Sequence, residues 1–261
     1  MRTPEEQLEW DLCKNDCVYF LNKYLQPEKY SPLLADFKLY PFQEDVLNAV
    51  EDNIFIVINT ARQMGISTIL TGRALWKMLF NNNYAAAFIN PNLVQGIRHI
   101  DMIKDFYNQL PKMFQIGLER PTNKRSLALT NGSSVSTFSP KTGSCSRAFD
   151  EVVLDQASYI ENLESVVVAA QPLLYSGKNK GKMIVTSCLY KEDWFTQMCR
   201  KAEKGDFDFT YIKLPYWVHP KRGRAWRSQQ DKDVKPDYAK LECDCSYVFT
   251  KEGVLVPLND E

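Results

Sequence analysis

The sequence predicts an α/β fold in which helices flank a mostly parallel central sheet. Short apolar runs rich in β-branched or small residues resemble strands that are buried on both faces. They occupy residues 54–58, 84–89, 151–155 and 182–187. A segment with a helical pattern follows each run, at 69–80, 93–110, 163–174 and 194–204. This alternation indicates βαβ units with right-handed crossovers.

Other segments predict additions to this sheet. Asn131-Gly132 lies between two arms of alternating apolar residues and indicates an inserted or edge β-hairpin. One amphipathic helix is expected over 5–25, within an N-terminal helical appendage of residues 1–36. Residues 37–217 are expected to form the core, and 218–261 a basic linker or lid segment.

Bulk composition limits the function classes. The 261 residues are 44% hydrophobic and 25% charged, and the formal net charge is +0. Any contact with nucleic acid therefore needs a local patch or other subunits. We expect neither a signal peptide nor a membrane span, because no run approaches ~18 apolar residues. The scattered cysteines indicate reduced, buried thiols, and His99 and His219 are expected to be structural or exposed.

The loop after the first apolar run has the layout of a phosphate-binding loop. A standard loop reads G-x-x-x-x-G-K-[ST], and its amides and the following helix N-terminus bind phosphate. The second glycine and the hydroxyl are present here, as Gly65 and Ser67, whereas Thr60 replaces the first glycine and Ile66 the lysine. An ordinary polar loop between strand and helix is the alternative.

Two later strand ends support a nucleotide site. Asp155 closes an apolar strand, the position at which such folds place an aspartate that organises Mg²⁺. A helix cap or a surface turn is the alternative for this residue. Thr186 and Ser187 end the next strand, and ligands of open α/β sheets bind at the carboxyl ends of strands.

Six blocks, in order over residues 10–255, together resemble the ATPase domain of the large terminase subunit of tailed bacteriophages. They read CKNDCVYFLNKYL, LYPFQEDVLNAV, INTARQMGIST, LTNGSSVSTFSP, EVVLDQASYIEN and AAQPLLYSGKNKGKMIVTSC. The resemblance implies an ASCE-type P-loop NTPase fold that binds ATP and Mg²⁺ and moves double-stranded DNA into a procapsid.

The resemblance also implies roles for individual residues. Gln43 would contact adenine, Ser67 and Asp155 would hold Mg²⁺ through the nucleotide, and Thr186 and Ser187 would couple hydrolysis to movement. The residues of the family's nucleotide-binding loop correspond here to Thr60, Arg62, Gln63, Gly65, Ile66, Ser67 and Thr68. Arg147 lies about two residues from a family arginine that acts in trans; a solvent-exposed arginine is the alternative.

Two residues depart from the family pattern. Ile66 replaces the loop lysine, and Arg62 is a candidate to replace its charge, because a guanidinium binds phosphate bidentately. Gln156 replaces the catalytic glutamate. A glutamine can orient water but cannot take a proton, so either natural slow hydrolysis or an engineered block is consistent with it. We expect nucleotide binding with weak or absent turnover.

The resemblance further implies partners. These are double-stranded DNA, the portal protein of the procapsid, the small terminase subunit and further copies of this chain in a ring. The family's nuclease domain is absent, which indicates either a truncation or a separate nuclease chain, and no nuclease activity is expected. The expected location is the host cytoplasm, with transient docking on the procapsid.

The cations of 219–227, with Lys178, Lys180 and Lys182, indicate either contact with the DNA backbone or a solvated loop. Two alternatives to a motor stay open. One is a catalytically degenerate module with a structural or regulatory role. The other is a helicase-like ATPase, which would need a second domain that does not fit in this length.

Overall fold

A single sheet forms the centre of the protein in the computed structural model. The structure describes residues 2–25, 38–119, 123–140, 148–175, 181–233 and 236–247. Within these ranges the sheet has seven strands. They are β1 (Phe55–Thr60), β2 (Ala85–Ile89), β3 (Ser126–Ala128), β4 (Ser134–Phe138), β5 (Glu151–Asp155), β6 (Lys182–Ser187) and β7 (Thr210–Leu214).

The strand order is β3-β4-β2-β5-β6-β1-β7. All neighbouring pairs are parallel except β3 and β4, which are antiparallel. The mostly parallel sheet predicted from the sequence is therefore confirmed. The predicted hairpin is also confirmed and lies at one edge, where Gly132 has a φ of +81°. Glycine adopts this left-handed conformation at little steric cost.

Helices cover both faces of the sheet. They are α1 (Pro4–Asn15), α2 (Cys17–Tyr24), α3 (Pro41–Asp52), α4 (Ile66–Phe80), α5 (Leu93–Gln109), α6 (Leu163–Tyr175), α7 (Trp194–Glu203), α8 (Arg224–Asp233) and α9 (Pro236–Glu242). None of the helices within the described ranges is long and apolar enough to cross a membrane.

Alternate residues of the strands feed two separate hydrophobic cores, as the pleat of a strand requires. In β1, Ile56 and Ile58 join the core that includes residues of α1 to α5. Val57, between them, joins the core beneath α6 and α7. The uninterrupted apolar run of β1 thus reflects burial on both faces.

The prediction of one helix over 5–25 is wrong, because the helix is interrupted at Asp16. This residue is extended, and its side chain accepts a hydrogen bond from the Tyr19 amide, so it caps a second helix. Both helices pack on α4, and the Trp76 indole donates to the Cys13 carbonyl at 2.7 Å. The expected limits of the appendage, core and lid stay predictions.

A buried charge cluster joins α3, α4 and β5 at the end of the sheet where β5 begins. Arg73 of α4 is fully buried and forms ion pairs with Glu51, at 2.6 Å, and with Glu151. Lys77 also binds Glu51, at 2.6 Å. Buried ions need such partners, because losing one partner leaves the other uncompensated in a medium of low polarity.

We expect Arg73→Ala to lower the free energy of unfolding by about 3–5 kcal/mol, because it leaves two carboxylates without their buried partner. Denaturation in urea, followed by circular dichroism, measures this change. Arg98→Ala is the matched control, since Arg98 is exposed on α5. An equal effect of the two substitutions would contradict the assigned role of the cluster.

Candidate functional site

The carboxyl ends of β5, β6 and β1 meet at one edge of the sheet. Asp155 lies beside Thr186 in the register of β5 and β6, and Ser187 lies beside Asn59 of β1. A cavity of about 430 Å³ opens there. It is lined by residues 60–68, by Asp155, Gln156 and Tyr159, and by residues 186–188. Cavities of this size hold small-molecule ligands.

The loop after β1 has the tight backbone of a phosphate-binding turn. Gln63 has a φ of 57° and Gly65 a φ of 76°, and Gly65 directly precedes α4. A Cβ atom on Gly65 would lie 2.6 Å from Gln43 Nε2, so both conformation and space require glycine. The loop therefore leads straight into the N-terminus of α4, which favours anions.

The side chain of Gln43 binds the backbone of this loop. This side chain is buried, donates from Nε2 to the Met64 carbonyl at 2.9 Å and accepts at Oε1 from the Tyr40 amide at 3.0 Å. It does not line the cavity in this structure. Contact of Gln43 with adenine stays a prediction.

Arg62 is the one cation among the described residues that line the cavity. Its Nη1 lies 2.9 Å from Glu242 Oε2, and its backbone amide donates to the Glu242 carbonyl at 2.9 Å. Burial acts to lower the pKa of Arg62, but the Glu242 carboxylate outweighs it and raises that pKa. The guanidinium is thus permanently charged at the mouth of the loop.

Ile66, the residue at the lysine position, is buried and belongs to the core shared with α4. Its side chain contributes no charge or donor to the cavity. Ser67 and Thr68 follow it and line the cavity with their hydroxyl-bearing side chains. Thr60, at the position of the first glycine, is buried at the end of β1, where its Oγ1 donates to the Ala61 carbonyl at 3.2 Å.

Asp155 is buried and held by two contacts. Its Oδ1 accepts the Gln156 amide hydrogen at 3.0 Å, and its Oδ2 lies 3.1 Å from His99 Nε2. Within the described residues, no group of three or more His, Cys, Asp or Glu side chains could hold a metal ion. One carboxylate and one hydroxyl, Asp155 and Ser67, do fit Mg²⁺ that is bound mainly through phosphates and water.

Gln156 occupies a strained position next to this carboxylate. Its φ is 59°, in the left-handed region that non-glycine residues rarely adopt, and it lines the cavity. Strain of this kind persists only where the surrounding structure enforces it. The turn that follows is fixed to the end of β6, because the Ser158 amide donates to Ser187 Oγ at 3.2 Å. Thr186 and Ser187, both buried, are thereby linked to the segment after Asp155.

The segment after β7 folds back onto the loop. Arg222 donates from Nη1 to the Arg62 carbonyl at 2.7 Å and from Nη2 to the Gln63 carbonyl at 2.6 Å. Its guanidinium stacks on Trp226, 4.4 Å from the ring centroid, and burial lowers its pKa. Arg222 therefore fixes two peptide groups of the loop.

The predicted basic patch is not one surface. Arg222 binds the loop, and Arg227 binds Asp244 through two hydrogen bonds of 2.6 and 2.9 Å. Lys182 donates to backbone carbonyls at the opposite end of the sheet, including that of Glu51 at 3.2 Å. Lys178, Lys180 and Arg147 lie outside the described residues.

His99, Arg222 and Glu242 were not among the site residues predicted from the sequence. His99 lies on α5, which follows β2, and β2 pairs with β5. Its approach to Asp155 follows from this strand order, which the sequence does not reveal. Arg222 lies in a basic run that is flanked by two aromatic residues, Trp217 and Trp226, and this pattern could have marked it as a site residue. No local feature of the sequence marked Glu242 as a site residue.

No protein-family model matches the sequence. Among solved structures, the HK97 bacteriophage large terminase has a TM-score of 0.64 and 16% identity, covering 85% of this chain and 48% of that chain. The Thermus phage P74-26 large terminase ATPase domain has a TM-score of 0.59 and 18% identity, covering 84% and 98%. The thermophilic bacteriophage D6E large terminase in complex with ADP has a TM-score of 0.62 and 13% identity, covering 78% of this chain and 52% of that chain.

The chain therefore spans about half the length of the HK97 and D6E proteins and nearly all of the P74-26 domain. At these identities the similarity shows the fold. It confirms the fold that the sequence resemblance implied, that of large-terminase ATPase domains.

We expect Arg222→Ala to loosen the loop, because the substitution removes both hydrogen bonds to the Arg62 and Gln63 carbonyls. Hydrogen bonds to charged groups contribute about 1.5–3 kcal/mol each, so hydrogen exchange of the Arg62 amide, which donates to the Glu242 carbonyl, should accelerate at least about tenfold. Mass spectrometry measures this exchange. Arg224→Ala, at an exposed neighbouring arginine, is the control. Unchanged exchange in the Arg222 variant would contradict the assigned contacts.

Proposed function

We propose that this chain is the ATP-binding motor domain of a large-terminase-type machine that moves double-stranded DNA into a viral procapsid. One observation carries the proposal: the glycine turn before α4 and Asp155 of β5 line the same cavity at the carboxyl ends of parallel strands. The fold supports it, since similar structures include the D6E large terminase in complex with ADP and with ATP-γ-S.

The phosphates would bind along the loop and the N-terminus of α4. Gln63, Gly65 and Ile66 would contribute through their backbone, and Ser67 and Thr68 also through their hydroxyls. Arg62 is the proposed cation of this loop, in place of the lysine that Ile66 lacks. A guanidinium is suited to the role because it binds two phosphate oxygens at once. Thr60 shapes the entry to the loop, and Gln43 is the proposed contact for adenine.

Ser67 and Asp155 would hold Mg²⁺, which neutralises charge on the phosphates when bound. Gln156, beside Asp155, would orient the attacking water. Its amide cannot accept the proton that a glutamate would take, so hydrolysis should be slow while binding is retained.

Thr186 and Ser187 are the proposed coupling residues. Thr186 lies beside Asp155 in the sheet, and Ser187 binds the turn after Gln156. A change at the phosphates would therefore reach β6 directly. This proposal extends to the partners implied by the family: DNA, the portal protein, the small terminase subunit and a ring of copies docked on the procapsid in the host cytoplasm. Arg147 stays a candidate to act in trans.

A second function is favoured by two specific residues. Ile66 adds no charge to the cavity, and Gln156 stands where a base would be. A chain with both features fits a degenerate module that binds nucleotide and has a structural or regulatory role in the packaging complex. Hydrolysis separates this function from that of a motor.

We expect the wild-type chain to bind ATP and to hydrolyse it slowly, and Gln156→Glu to raise kcat by roughly 100-fold or more, because it restores a general base. Calorimetry measures ATP binding, and phosphate release with and without double-stranded DNA measures turnover. Gln156→Leu is the matched control, since it removes both proton acceptance and the ability to orient water.

Four outcomes test the proposed function and the residue roles. Activity only after Gln156→Glu together with Ile66→Lys supports the degenerate module. Fast hydrolysis by the wild type contradicts the role given to Gln156. Loss of ATP binding in Arg62→Ala but not in Arg62→Lys supports Arg62 as the loop cation, whereas a wild-type chain that does not bind ATP contradicts the whole proposal.

A further inference from the structure

We propose that His99 is a positioning residue that fixes the Asp155 carboxylate relative to the first turn of α4. This inference rests on the proposed function, since Asp155 and Ser67 are the residues proposed to hold Mg²⁺. His99 belongs to neither the loop nor the strand ends. It reaches the site from α5, behind the cavity.

A chain of polar contacts runs from the Asp155 carboxylate through His99 to the backbone of Ser67. Asp155 Oδ2 lies 3.1 Å from His99 Nε2, and His99 Nδ1 lies 2.7 Å from Thr71 Oγ1. Thr71 Oγ1 in turn donates to the Ser67 carbonyl at 2.6 Å. The imidazole therefore bridges β5 and α4 with both nitrogens.

The surroundings hold the ring in this orientation. His99 is buried and stacks on Phe88 of β2, with the ring centroids 4.4 Å apart and the planes at 22°. Thr71 and Asn90, which also contact the ring, are fully buried. Polar contacts are stronger where water is excluded, so this link is stiff.

The position of the link indicates a role beyond satisfying a buried histidine. A structural histidine needs only some partner for each nitrogen. Here one nitrogen contacts Asp155, a proposed magnesium ligand, and the other contacts Thr71, which binds the backbone of the second proposed ligand, Ser67. Asp155 Oδ1 is already held by the Gln156 amide. With Oδ2 held by His99, the carboxylate cannot rotate, yet each oxygen keeps a lone pair for a metal ion.

Loss of this link should therefore weaken Mg²⁺ binding more than nucleotide binding itself. Residues that orient metal ligands typically account for about 10–100-fold in metal affinity. The loop amides, Arg62 and the N-terminus of α4 do not contact His99, so the affinity for metal-free ADP should not change.

Calorimetry of ADP binding, with saturating Mg²⁺ and with EDTA, tests the inference on the full chain. The magnesium gain is the ratio of the ADP affinity with Mg²⁺ to the ADP affinity with EDTA. The amide of His99→Asn reaches toward Thr71 only, so we expect this gain to fall about 10–100-fold. His99→Gln, whose longer amide can reach Asp155, should restore much of that gain. Phe114→Leu is the control: Phe114 is fully buried in the same core and packs on Trp10, Phe20 and Phe80, so this variant should lower the melting temperature without changing the magnesium gain.

Each result has one meaning. An unchanged magnesium gain in His99→Asn, or an equal loss of affinity with and without Mg²⁺, overturns the positioning role. An equal loss of the gain in Phe114→Leu also overturns it, because general loosening of the core then accounts for the effect. If the wild-type chain binds ADP under neither condition, it is the proposed function that fails.

Discussion

Asp155 of β5 lies beside Thr186 of β6, and Ser187 lies beside Asn59 of β1, in one continuous parallel register. A shift of one residue between these strands would turn every side chain to the opposite face and move Asp155 away from the loop. The register is set by strands whose alternate residues fill two different cores, so a shift would disrupt packing on both faces. The geometry of the site is thus a consequence of the same burial that stabilises the fold.

The sequence predicted the elements of this fold better than the contacts between them. β-branched runs and the glycine turn at Gly65 are local signals, and the structure has both where they were expected. The break at Asp16 was also readable, because aspartate is a common N-cap, but the surrounding apolar pattern continues across it. His99, Arg222 and Glu242 meet the site only through strand order and chain return, which no local spacing encodes.

The two departures from the family pattern affect different parts of the proposed reaction. Ile66 adds apolar packing to the core beneath the loop, so its effect concerns the charge available to phosphates. The glutamine side chain at position 156 affects only the proposed activation of the attacking water, because the backbone amide of this residue still donates to Asp155. The contact with Asp155 comes from the Gln156 backbone and the packing comes from the Ile66 side chain, so we expect nucleotide binding and turnover to be separable.

The contacts of Arg222 and Glu242 with the loop have a consequence for biosynthesis. Residues 62 and 63 are made early, but the groups that fix their carbonyls and the Arg62 amide come from positions 222 and 242. During translation the sheet can begin to assemble long before this part of the chain leaves the ribosome. These contacts therefore form only at a late stage of synthesis, and a nascent chain that ends after β7 would lack them.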